Sequence, residues 1–242
     1  MAYGRMAKPR KPAPSPPRKR PLRRALIWLS RGILGLFGVT VLAIILYDLI
    51  NPPTTPYMFA EGRRLGGVEQ QWVDFADIAP VMGRSVVASE DANFCLHWGL
   101  DIGAIRAAMA NGSSRGASTI SQQVVKNAYL WQGRSWFRKA IEAGMTPVME
   151  LFWSKRRILE VYLNIIEFDE GVFGVQAAAQ HFFGVDAADL TPRQAARLAA
   201  VLPDPKGRSA SDPSQLVRNR AAQIIDGAAT IAADGRAECF EG

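Results

Sequence analysis

The chain has 242 residues, enough for one ordinary domain with appendages, and at 48% hydrophobic and 21% charged residues it cannot be wholly disordered. Its formal charge of +7 would suit a nucleic-acid partner if it were spread over the chain. It is not: residues 1–24 hold nine Lys or Arg and no acid, whereas from residue 48 onward nineteen Lys or Arg face all twenty-two acids, so the body has no field that would attract DNA or RNA.

Residues 1–24 also contain six of the fifteen prolines, which predicts a disordered, extended basic tail. Ala25 to Tyr47 form a 23-residue apolar run with one charge, Arg31, near the basic end, where its side chain can snorkel to the headgroups. About 20 apolar residues span a bilayer as a helix. With Lys and Arg on one flank and Asp48 and Asn51 on the other, the N-terminus is expected in the cytoplasm. A cleaved signal peptide is the rival reading; the run is long for one and no small-x-small site follows it. Pro52, Pro53 and Pro56 then mark 51–59 as a short stiff spacer within a juxtamembrane linker over 48–69.

From residue 70 to 242 the pattern is mainly α, with little strand signal and no internal repeat. An Ala-rich helix over 102–111 ends at Asn111-Gly112, and the Gly/Ser-rich run that follows leads into another helix. There Thr119, Gln122, Gln123 and Lys126 share one face while Ile120, Val124 and Ala128 share another, so the polar face is expected to line a cleft or meet solvent. Ser118 or Thr119 can cap this helix, and a flexible loop feeding its N-terminus makes a candidate anion site. Helices are predicted over 134–153, with a kink at Pro147, and over 154–168; Arg138 and Glu142 read most simply as a surface i, i+4 pair. Thr191-Pro192 opens a helix over 190–202, and a last one covers 214–233. Cys95 and Cys239 fit no zinc or redox spacing; in an oxidising compartment they could pair, and both states stay open.

Polar residues concentrate in four clusters: SEDANFCLHWG (89–99), GASTISQQVVKN (116–127), RKAIE (138–142) and KRRILEVYLN (155–164). Carboxylates at Glu90 and Glu142 are separated by a glycine-rich turn and by the cations Arg115, Lys126, Arg138 and Lys139. Acid or base groups beside cations suit a substrate that carries a negative group. The four clusters, in this order, resemble the motifs of the peptidoglycan glycosyltransferases over about residues 70 to 230. Within them Glu90, Asp91, Phe94, His97 and Gly99 keep the family spacing. Departures are Ala117 for a glycine, Ser121 for a threonine, Asp169-Glu170 for Gly-Asp, and Thr146-Pro147 for a continuous helix former. The basic tail, single anchor and single body resemble the monofunctional members.

That resemblance implies a mainly α, lysozyme-like fold and polymerisation of lipid II into β-1,4-linked strands with release of undecaprenyl diphosphate, without transpeptidase activity. It implies Glu90 as general base and Glu142 as the second acid near the donor diphosphate. Lys126, Arg138 and Arg115 would hold that diphosphate, and Ser118, Gln122, Gln123 and Asn127 would line the donor side. Asp91 and His97 become scaffold residues, joined as motif structure by Phe94, Gly99, Glu160, Tyr162 and Asn164. A magnesium or manganese ion between Glu142 and the diphosphate is compatible with this set, although no cage of ligands is evident. The expected partners are lipid II, the nascent strand and the lipid bilayer, with cell-wall synthesis or division proteins as further candidates and no nucleic acid. The expected setting is the inner membrane, with the body outside the cytoplasm. The alternatives are a lysozyme-like or lytic glycan-cleaving enzyme, which has no use for a row of cations, and an inactive membrane-anchored scaffold.

Overall fold

A computed structural model describes residues 21–110, 118–133 and 135–242. Most of the basic tail and the centre of the glycine-rich run, including Arg115, lie outside the described residues. The chain divides into two units, Met1–Val41 and Leu42–Gly242. The described part of the first is the greater part of helix α1 (Pro21–Leu49), which starts within the expected tail because proline is tolerated in a first turn. Its apolar side chains, among them Leu26, Trp28, Leu34 and Phe37, are exposed, and the hydroxyls of Ser30 and Thr40 donate back to the carbonyls of Ile27 and Leu36. A window within Arg23–Leu49 has a mean hydropathy of 2.2, and this is the one helix among the described residues long and apolar enough to cross a membrane.

The second unit begins with the last turns of α1. Ile44 is fully buried, and its carbonyl accepts the Trp153 indole N–H at 2.7 Å. The Arg157 guanidinium donates to the carbonyls of Tyr47 (2.8 Å) and Ile50 (3.1 Å), partnering groups that a helix end leaves unpaired. Helix α2 (Pro56–Leu65) follows where a spacer was expected. Thr55 caps it by accepting from the Met58 N–H at 3.1 Å, and Pro56 takes the first helical position, which needs no donor.

Two further departures from the sequence reading concern strands. The helix expected to run to 168 stops at Ile165, and β2 (Glu167–Asp169) pairs antiparallel with β3 (Val172–Phe173). β1 (Glu69–Gln70) pairs parallel on the other side of β3, with Glu69 opposite Val172 and Gln70 opposite Phe173. Strands of two or three residues are too short to show an alternation.

The remaining elements are helices: α3 (Pro80–Glu90), α4 (Ile102–Ala110), α5 (Ile120–Tyr129), α6 (Trp136–Phe152), α7 (Lys155–Ile165), α8 (Val175–Phe183), α9 (Pro192–Val201), α10 (Gln215–Ala233) and α11 (Glu238–Glu241). α6 continues through Pro147 as one helical element, with Thr146 donating its hydroxyl to the Glu142 carbonyl at 2.7 Å. α3, α9 and α10 pack together as one group, and α5 packs against both α6 and α7. α7 lies deep in the core, with Ile158, Leu159, Tyr162 and Leu163 wholly inside. Asn164 on the same helix pins the chain before α3, since its amide exchanges hydrogen bonds with the backbone N–H and carbonyl of Val73, both at 2.9 Å. Cys95 and Cys239, left open by the sequence, are joined as a disulfide that ties the loop after α3 to α11.

Candidate active site

Hydrogen bonds join the four polar clusters into one unit. Asp91, buried just beyond α3, pairs with His97 Nε2 at 2.8 Å through one oxygen and accepts the Ile120 N–H at 3.0 Å through the other. A carboxylate at the first turn of α5 meets unpaired donors and the positive end of the dipole, so it fastens the loop to the helix. Thr119 closes a capping box with Gln122 and donates its hydroxyl to the Gly99 carbonyl at 2.6 Å. Gly99 has φ +76°, and a Cβ there would fall 2.5 Å from Thr146 Cγ2, so this approach needs glycine. Beneath the loop, Lys155 Nζ donates to the His97 carbonyl at 2.8 Å and to Glu150 at 2.7 Å, and stands 4.5 Å over the Phe94 ring. Ser121 donates to the same Glu150 oxygen.

Glu90 is the last residue of α3 and reaches toward α5, where Gln123 Nε2 donates to its carboxylate at 3.0 Å. The Gln123 carbonyl oxygen accepts the Tyr162 hydroxyl at 3.1 Å, and burial holds that phenol protonated far above its ordinary range. Gln123 is thus fixed in the orientation that presents N–H to Glu90. Beside Glu90 opens a cavity of about 240 Å³, lined by polar residues that include Asp91, Asn93, Asp101, Ser118 and Thr119.

The second acid lies in a different environment. Glu142 is 2% exposed, and so is no surface carboxylate. One oxygen accepts from Arg138 Nη1 at 2.6 Å, the other from Lys139 Nζ, which also donates to Ser118 Oγ at 2.8 Å. Arg138 is itself oriented by a bond to the Gly133 carbonyl at 3.0 Å. Lys126, one turn beyond Gln123 on α5, completes the cluster. Burial pushes its ammonium below the ordinary lysine range; Glu142 and Glu90 oppose that shift, and Arg138 and Lys139 add to it. One lysine is therefore within the field of both acids, and three cations surround a single buried carboxylate.

Some predicted site residues sit elsewhere. Gln122, expected on the open face of α5, is buried with its side-chain oxygen accepting the Thr119 N–H at 3.2 Å, because an N3 glutamine completes the cap. Asn127 is buried and accepts from Gln132 Nε2 at 3.1 Å. Glu160 faces Arg157 at 3.0 Å, and burial pushes its carboxyl up. Lys139 and Glu150 were not singled out as site residues. The signal for Lys139 was its place beside Arg138 in RKAIE; Glu150 carries none, since its partners lie far off in sequence. Both Glu142 oxygens pair with cations, whose charge opposes a divalent ion there, and among the described residues no three His, Cys, Asp or Glu cluster for one. The arrangement offers a hydrogen-bonded carboxylate facing a polar cavity, with an excess of positive charge one helical turn away. That combination can take a proton from a hydroxyl and stabilise an anionic leaving group.

A family model described as Transglycosylase matches residues 60–229. The chain is 63% identical over 213 residues to the biosynthetic peptidoglycan transglycosylase of Jannaschia sp. (strain CCS1), covering 88% of this chain and 89% of that one. It is 47% identical over 213 residues to the protein of that name from Stutzerimonas stutzeri (strain A1501), covering 84% and 88%. With the namesake from Caulobacter vibrioides (strain ATCC 19089 / CIP 103742 / CB 15) the identity is 44% over 225 residues, covering 91% and 97%. A domain match spanning most of the body, together with identities of this size along nearly whole chains, establishes that this protein belongs to the transglycosylase family.

Proposed function

We propose that the protein is a membrane-anchored peptidoglycan glycosyltransferase that extends glycan strands from lipid II, with Glu90 as general base. Joining sugars requires an acceptor hydroxyl to attack an anomeric carbon while a diphosphate departs. The hydroxyl oxygen forms the new bond to carbon, the bond from that carbon to the diphosphate breaks, and the hydroxyl proton passes to the Glu90 carboxylate. A single displacement inverts the centre, converting an α-linked lipid precursor into a β-linked chain. The diphosphate leaves as an anion and needs counter-charge rather than a proton. In this reading Lys126, Arg138 and Lys139 supply it, Arg115 joins them from the loop before α5, and Glu142 holds the cations in place. Gln123 orients the base.

The observation that carries the proposal is that Lys139, paired with Glu142, also donates at 2.8 Å to Ser118, which lines the cavity beside Glu90. Acceptor activation and leaving-group stabilisation then act on one bond. The experiment is Glu90→Gln, which keeps the shape and the Gln123 contact but removes the basic oxygen. We expect polymerisation of fluorescent lipid II by the purified full chain to fall by about 10²-fold or more with the melting temperature unchanged. A product ladder like that of the unsubstituted protein would remove Glu90 from this role.

We infer that the body lies on the outer face of the inner membrane, with residues 1–24 in the cytoplasm. Three observations support this. The cations crowd one flank of α1. The Cys95–Cys239 disulfide suits an oxidising compartment. Trp131, Trp136, Phe137, Leu151 and Phe152 are exposed on and just before α6, an apolar surface that a bilayer would cover.

A further inference from the structure

Glu90 occupies an unfavourable place for a negative charge. It ends α3, where the final carbonyls lack helical partners and the dipole presents its negative end. Asp91 adds a second carboxylate beside it. From α5 it receives the neutral amide of Gln123 and the more distant charge of Lys126, and from α7 the neutral Tyr162. The nearest counter-charge comes from α10, which none of the four sequence clusters includes. Arg220 Nη2 lies 3.6 Å from Glu90 Oε1. The same nitrogen donates to Ser89 Oγ at 3.1 Å and to the Ser89 carbonyl at 3.4 Å. The Ser89 hydroxyl is in turn 3.3 Å from both Glu90 Oε1 and the Ala199 carbonyl.

The guanidinium is held by a rigid support. Val217, Ala221, Ile224 and Ala228 bury one side of α10. Gly227 comes so near α3 that a Cβ would sit 3.1 Å from that of Ala88, the residue before Ser89. An arginine launched from a helix packed this closely reaches a fixed point, and it neutralises the α3 terminus where the carboxylate sits.

We propose that Arg220 is a positioning residue for glycosyl transfer: directly and through Ser89 it holds the Glu90 carboxylate aimed into the cavity without touching substrate. The proposal rests on the reading of Glu90 as the base. It is tested on the full chain in detergent with fluorescent lipid II, comparing Arg220→Lys, Arg220→Met and Glu90→Gln, with a thermal melt of each. Lysine and methionine fill similar space, so they separate charge from packing. We expect Arg220→Met to lower kcat by about 10- to 100-fold with KM within about twofold of normal, and Arg220→Lys to recover to within about fivefold. Equal losses in the two variants, a loss confined to KM, or normal turnover by Arg220→Met would each overturn the role of Arg220. If Glu90→Gln is inactive in that same series, the base assignment stands alone; if it is active, both fall. Should Arg220→Met not fold, Arg220→Gln makes the same comparison with lysine.

Discussion

At Lys126 the demands of folding and of binding oppose each other. Burial lowers the pKa of its ammonium, so the charged form destabilises the fold at neutral pH. A group with a depressed folded pKa contributes fully only above its unfolded value, here the ordinary 10.5, and the contribution is lost as pH falls through the folded value. Lys126→Met should therefore raise the melting temperature by a few degrees at pH 7, with the gain vanishing above pH 10.5, while turnover of lipid II falls by about 100-fold or more. Melts of both proteins across that pH range check the first part; a lower melting temperature for Lys126→Met at pH 7 would contradict it. Gly99→Ala tests the opposite kind of position, where fit dominates. Its φ of +76° and the 2.5 Å approach to Thr146 predict a loss of about 2–4 kcal/mol, read as a lower denaturation midpoint. The sequence put forward Glu90, Lys126, Arg138 and Glu142 as candidates because they sit in dense polar clusters. It misdirected Gln122, since a helical wheel assigns a face but does not show that an N3 glutamine folds back onto the cap.

At the scale of elements, the long helices were legible from their caps and apolar spacing: α9 opens at Thr191-Pro192 as those residues require, and α10 at Ser214. The prolines of 52–56 read as a spacer although the last of them starts α2, because proline is a breaker inside a helix and a starter at its first turn. The junction of α1 with the body was not legible, since it depends on Arg157, more than a hundred residues away. Arg157→Ala would leave the carbonyls of Tyr47 and Ile50 without those donors and Glu160 without its partner. We expect a loss of about 1–3 kcal/mol, measured by denaturant unfolding in detergent. An unchanged midpoint would mean that water serves these groups as well as the guanidinium does.

At the scale of the whole molecule, the disulfide closes a stretch of 144 residues and holds α11 against the loop that follows Glu90. Arg84 reinforces this end of the chain with two bonds to Glu241, at 2.7 and 3.0 Å, and Phe240 packs near Phe94. Replacing both cysteines with serine should cost about 3–5 kcal/mol through the unfolded chain's regained freedom, seen as a lower melting temperature. No spacing rule could have paired Cys95 with Cys239, whereas the charge partition between tail and body was plain from a count. The protein is built to add sugars rather than to cut them. The most direct test supplies the full chain in detergent with fluorescent lipid II and, in parallel, with purified cell-wall sacculi, and follows the products by gel and chromatography. Lipid II should be consumed into a ladder of strands while the sacculi stay intact; release of soluble muropeptides with lipid II untouched would overturn the assignment to synthesis.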